Sequence, residues 1–182
     1  NAELTVSGEL GDGNALSRKA ADYQSMRFTN SKVTMKAPTV TTDQIFTTDN
    51  LANVVQEMKD NNSDLENYTF KVDGDQKGSF VMRSRNNSST KAPKLIVEYT
   101  SGYGECVAEI TSAKDDAEEY GPNLSMDTSS SVKIGGYRSS SMSASSKSRA
   151  AFRFPKIEIP ETAMIEDAYL ELTTSSTTSA NN

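Results

Sequence analysis

Apolar and polar residues alternate along most of this chain, in short runs separated by Gly, Asn, Asp, Ser and Pro. From Ala2 to Leu10 the residues Leu4, Val6 and Leu10 take one face, and Gly11-Asp12-Gly13-Asn14 then marks a turn or loop. Ser31 to Lys36 alternates again with Val33 and Met35 on one side, whereas the Thr-rich stretch from Pro38 to Thr48 predicts an irregular or edge segment. Strands are predicted at Tyr68–Val72, Ser79–Arg83 and Lys94–Tyr99. Asp73-Gly74-Asp75 stands between the first two as a hairpin signal, and Asn86 to Ser89 forms a loop. Beyond Gly102-Tyr103-Gly104, Cys106 to Thr111 predicts another strand, and Val132 and Ile134 a short one ending at Gly135-Gly136. Ser139 to Ser148 has no periodicity and predicts a mobile loop. Phe152 and Phe154 then alternate up to Pro155, Ile157 and Ile159 alternate up to Pro160, and Ala168, Leu170 and Leu172 share one face of a last strand. A single stretch changes period. Leu51, Val54, Val55 and Met58 fall at i, i+3, i+4 and i+7, which predicts a helix over about residues 50–59, capped by Thr48 or Asp49 and stopped at Asp60-Asn61-Asn62.

The two ends of the chain resemble each other. Glu3-Leu4-Thr5-Val6-Ser7 near the start is echoed by Glu171-Leu172-Thr173-Thr174-Ser175 near the end. The order of the segments between them suggests a β-domain read from the middle, its closing segments first and its opening segments last. Residues 1–101 are then the C-terminal part of a module, 102–104 a junction, and 105–182 the N-terminal part of a module. Such a chain is a slice of a tandem array, a circular permutant, or a subunit completed by its neighbour.

Composition narrows the function classes. At 182 residues with 35% hydrophobic residues and no Trp, the chain suits one domain of thin strands with a wet face. A net charge of −6 opposes nucleic acid as a partner, because phosphate binding needs clustered Lys and Arg. No apolar run approaches the ~20 residues that span a bilayer, so membrane insertion is not expected. No signal peptide is visible, and Asn1 fits a processed start. Sequons at Asn61, Asn67, Asn86, Asn87 and Asn123 and the Ser/Thr/Asn-rich surface nevertheless favour a secreted or cell-surface location, with these asparagines as candidate N-glycosylation sites.

Catalysis is poorly provided for. The chain has no His, the commonest general base and metal ligand, and its single Cys106 has neither a disulfide partner nor a His to activate it. Cys106 is expected to be a small buried filler in a strand. The carboxylate pairs are expected in polar loops, and no enzyme activity is expected. Asp115, Asp116, Glu118 and Glu119 are the best candidate site, because several hard oxygens in one loop suit Ca²⁺. The competing expectation is a solvated acidic patch.

Three motifs carry a family resemblance. The first is Ala151-Phe152-Arg153-Phe154-Pro155-x-Ile157-x-Ile159-Pro160-x-x-Ala163-x-Ile165-x-x-Ala168-Tyr169-Leu170-Glu171-Leu172, preceded by the acidic Asp115 to Glu119. The others are Asn50-Leu51-x-x-Val54-Val55-Gln56-Glu57 with Asn67-Tyr68-Thr69-Phe70-x-Val72-x-Gly74, and Lys91-Ala92-Pro93-Lys94-Leu95-Ile96-Val97-Glu98-Tyr99. Together they resemble the DNRLRE-type extracellular β-sandwich modules and the allied family-96 carbohydrate-binding modules, in permuted or junction-spanning order. The resemblance implies an all-β, jelly-roll-like β-sandwich with one short helix, and it supports calcium as a cofactor.

The expected function follows from the chain ends. A sandwich lacking complementary strands exposes unpaired backbone groups, which a neighbouring copy can satisfy. The chain is therefore expected to be a non-enzymatic structural subunit or repeat of an extracellular filament, sheath or adhesive array. It would partner itself head to tail through the strands of Leu4, Val6, Leu170 and Leu172. The alternative is a carbohydrate-binding module of a secreted polysaccharide-active protein, against which the absence of Trp counts.

Overall fold

The computed structural model describes residues 3–11, 25–37, 39, 41–62, 65–75, 78–100, 104–120, 131–136, 147–175 and 179–180. In chain order the strands are β1 (Glu3–Gly8), β2 (Val33–Lys36), β3 (Ile45–Thr47), β4 (Tyr68–Gly74), β5 (Gly78–Arg83), β6 (Lys94–Tyr99), β7 (Gly104–Glu109), β8 (Asp116–Tyr120), β9 (Ser131–Gly136), β10 (Lys147–Phe154), β11 (Ile165–Thr173) and β12 (Ser179–Ala180). Helix α1 (Ala52–Asn61) lies between β3 and β4. The strands form two antiparallel sheets, an all-β sandwich-like fold. One sheet runs β12-β5-β9-β10-β4-β1-β2 with β8 also on β10; the other runs β3-β11-β6-β7.

Alternation builds the core. Leu4 and Val6 of β1, Phe70 and Val72 of β4, and Phe152 and Phe154 of β10 point inward from the larger sheet. Leu95 and Val97 of β6 and Leu170 and Leu172 of β11 meet them from the smaller, all in one buried cluster. Phe70 and Phe154 pack edge to face at 6.0 Å. Helix α1 adds Leu51, Val54, Val55 and Met58, each 0–1% exposed, so the apolar stripe is core packing. Its start differs from the sequence expectation. Asn50 Oδ1, not Thr48 or Asp49, accepts the Ala52 N–H at 2.6 Å, while the Leu51 N–H donates to the Ala168 carbonyl at 2.6 Å. Thr48 instead continues the β3–β11 pairing, exchanging bonds of 3.0 Å with Leu170 through its N–H and Oγ1.

The two parts of the chain interleave. β10 pairs with β4, β11 with β6, and β9 with β5, so residues 1–101 and 105–182 complete one sandwich within a single chain. A corner stitches the sheets together. After β11, Thr174 bridges to Met82 of β5, the Ser175 N–H donates to the Val81 carbonyl at 2.7 Å, and β12 becomes an edge strand beside β5.

The hairpin predicted at Asp73-Gly74-Asp75 does not form: β4 and β5 share a sheet but are separated by β10 and β9. Gly74 serves a close approach instead. A Cβ at Gly74 would stand 2.5 Å from the Gly135 Cα and 2.6 Å from its nitrogen, and Gly135 itself has a φ of 104°. Gly74→Ala is therefore expected to cost about 2 kcal/mol, because backbone cannot step aside as a side-chain tip can. A urea melt that leaves the midpoint unchanged would refute this close packing.

Three further expectations are corrected. The acidic segment is not a polar loop: residues 116–120 are strand β8 on β10, where Ala117 packs with Ala151 beneath Met26 and Phe28. The Ile157–Ile159 stretch is not a strand. Lys156, at φ 60°, turns the chain, and Ile157 is buried while its N–H donates to the Glu66 carbonyl at 2.8 Å. Ser148, expected in a loop, lies in β10, and the rest of that predicted loop from 139 to 146 is outside the described residues.

Candidate functional site

The acidic segment is held by protein partners. Asp115 and Arg153 form an ion pair at 2.7 Å with side chains 6% and 15% exposed, and the Arg153 N–H also donates to the Asp115 carbonyl at 2.7 Å. Pairing with β10 sets Asp116 opposite Phe152 and Glu118 opposite Ala150, so both carboxylates turn toward the inner face. There Asp116 Oδ2 accepts the Arg85 N–H at 2.5 Å and Glu118 Oε2 accepts the Lys133 N–H at 3.0 Å. These carboxylates act as staples. They reach from β8 to backbone N–H groups of β9 and of the turn after β5. The second oxygen of Asp116 is buried without a hydrogen-bond partner. Burial pushes the Asp116 carboxyl up to about 6, with nearby Asp115 adding to the effect and the Arg85 N–H opposing it. Glu119 follows in the same strand. Among the described residues no three metal-ligating side chains converge.

The strands expected to join copies are interior strands here. β1 lies between β2 and β4, and β11 between β3 and β6, so Leu4, Val6, Leu170 and Leu172 are buried and the two strands do not pair with each other. The open edges lie elsewhere. Among the described residues β3 and β7 each pair on one side only, at opposite ends of the four-stranded sheet. Ile45 of β3 and Val107 of β7 are 57% and 52% exposed. The Thr-rich stretch from Pro38 to Thr48 signalled the β3 edge, whereas the Val107 alternation gave β7 as a strand without marking it as an edge. Cys106, also on β7, is half-buried, and burial pushes its thiol above the ordinary range. Of the sequons, Asn61, Asn86 and Asn87 are exposed and Asn67 is half-buried. Asn123 lies outside the described residues, as do Tyr23, Tyr103 and Tyr137.

A groove of about 530 Å³ opens beside the end of β6, with Leu65, Ile157, Pro160 and Tyr99 between Glu66 and Glu158. Tyr99 is fixed by its packing on Gly104, where a Cβ would come within 2.2 Å of the ring. The Val54-Val55-Gln56-Glu57 motif has a structural use. Gln56 Oε1 accepts the Ile165 N–H at 3.0 Å, where the β11–β6 register shifts. Glu57 accepts the N–H groups of Asn30 and Ser31, both at 2.8 Å, and these bonds hold its carboxyl below the usual range. No helix among the described residues is long and apolar enough to cross a membrane.

Compared with known proteins, the chain matches no family model, no curated protein and no solved structure. The resemblance to DNRLRE-type and family-96 modules rests on its motifs.

Proposed function

We propose that the protein is a non-enzymatic structural unit of an extracellular filament, sheath or adhesive array, joined head to tail through β-strand pairing. The observation that carries this reading is the pair of edges, β3 and β7, left open among the described residues at the two ends of one sheet. An open edge is a row of unpaired N–H and C=O groups, a template for a further strand. Two different edges make a heterologous contact, which propagates unless a ring closes. The chain has no His, the commonest general base, and Asp116 and Glu118 of the acidic segment are engaged by the backbone N–H groups of Arg85 and Lys133.

Negative-stain electron microscopy of the purified protein tests the proposal, with regular filaments expected. Asp115, Asp116 and Glu118 already have partners in Arg153, Arg85 and Lys133, so filaments are expected to survive a calcium chelator. Loss on chelation would instead assign a metal to Asp115–Glu119. Monodisperse particles would overturn the structural-unit reading. They would favour the second one, a polysaccharide bound in the groove against Tyr99 with Glu66 and Glu158 accepting from its hydroxyls, for which a glycan array is the measurement.

A further inference from the structure

We propose that β7 of one copy adds to β3 of the next, antiparallel, so that the four-stranded sheet runs on from copy to copy with Val107 opposite Ile45. This rests on the self-assembly reading above and names its strands. The topology permits it. β3 and β6 both run antiparallel to β11, and β7 runs antiparallel to β6, so β7 and β3 are antiparallel within one copy. A translated copy therefore presents β3 to β7 in the antiparallel sense, with inner and outer faces preserved. The faces also agree. Val107 lies opposite Ile96, which lies opposite Tyr169, and Ile45 lies opposite Thr173, all on the outer face; Phe46, opposite Leu172, points inward.

Setting Val107 against Ile45 fixes the neighbours. The small Cys106 side chain falls opposite Phe46 on the inner face, and Glu105 opposite Thr47. Two exposed β-branched side chains become a cross-strand pair. Glu109, which pairs with Lys94 at 3.5 Å within its own copy, falls opposite Asp43, a like charge that only the two cations around Asp43 can offset. Asp43 stands between Arg83 at 2.8 Å and Lys91 at 3.0 Å, two cations sharing one carboxylate. β7 brings Glu109 to that corner and Glu105 to the Thr47 end, and β3 carries no charged residue of its own. The edges of the larger sheet are less suited. β2 is preceded by Lys32 and ends on Lys36, the usual protection of an edge, and β12 has two residues.

Disulfide trapping tests this pairing. The variant I45C/V107C, with Cys106→Ala to remove the native thiol, is oxidised mildly and run on a non-reducing gel. A ladder of dimers, trimers and higher species is expected, whereas I45C/C106A and V107C/C106A alone give dimers at most. The ladder cannot arise within one copy. Positions 45 and 107 stand three strand spacings apart, about 14 Å, against the ~7 Å limit between Cα atoms for a disulfide. Both positions are exposed, so the variants keep their fold. V107K gives a second readout: loss of filaments with an unchanged melting temperature is expected. Filaments without a ladder, or filaments that persist in V107K, would overturn the β7–β3 pairing and leave the structural-unit reading standing. Monodisperse particles and no ladder would overturn both.

Discussion

Arg153→Met is expected to destabilise the protein by about 3 kcal/mol at neutral pH. The guanidinium is the 2.7 Å partner of Asp115, whose side chain is 6% exposed. Removing the cation leaves a carboxylate that water barely reaches, and breaking such a pair from one side costs far more than the pair contributes as a whole. The figure is set at the lower end of the usual range because Arg153 keeps 15% of its side chain in solvent. The double variant D115N/R153M is expected to regain most of the loss, since no uncompensated charge remains. Urea denaturation of the parent and the two variants checks this. Equal stability of R153M and the parent would show that the pair is solvated and structurally idle.

The second large effect is a pH dependence. Asp116 has its carboxyl pushed from an ordinary 3.8 up to about 6 by burial. Between those values the folded protein keeps a proton that the unfolded chain has released. Stability from this group is therefore full below about pH 4, falls as pH rises toward 6, and is lost above it, by roughly 3 kcal/mol. Asp116→Asn keeps an acceptor for the Arg85 N–H and carries no charge, so it is expected to be more stable than the parent near pH 7.5 by about 2 kcal/mol and equal to it near pH 4. Glu57 and Asp43, whose carboxyls are held low by hydrogen bonds, contribute in the opposite sense, gaining stability as pH rises through the acid range. The difference between D116N and the parent isolates Asp116. A constant difference across pH 4 to 7.5 would refute the assignment.

Much of the fold was legible because two periods are hard to confuse. Leu51, Val54, Val55 and Met58 could satisfy only a helix, the alternation of Ala168, Leu170 and Leu172 fits a half-buried strand, and Leu95-Ile96-Val97 is a short apolar run buried throughout. What the periods leave open is pairing. Asp73-Gly74-Asp75 has the composition of a tight turn, yet Gly74 was needed where β9 crosses β4, a contact between residues 61 positions apart that no local pattern encodes. The acidic segment was misplaced for a related reason. Asp, Glu and Glu at 116, 118 and 119 look like loop composition, and only the positions of Arg85 and Lys133 turn two of these carboxylates into substitutes for ladder bonds. Of the open edges, that of β3 was legible in the Thr-rich stretch from Pro38 to Thr48, read as an irregular or edge segment, whereas Val107 read as an ordinary alternating residue until the strand order placed β7 at the other end of the sheet.

The interleaving of the two parts also sets when the chain can fold. Among the pairings described here, the first 101 residues can make only β1–β2 and β1–β4 on their own. β3 waits for β11, β5 for β9 and β12, and β6 for β7 and β11. A ribosome making this protein therefore holds β3 and β5 without their partners until β11 and β9 emerge. Closing such distant pairings is slow by nature, on the order of milliseconds to seconds. Through that interval the edges of β3 and β5 stay unpaired in the nascent chain, the stage at which it is most open to mispairing.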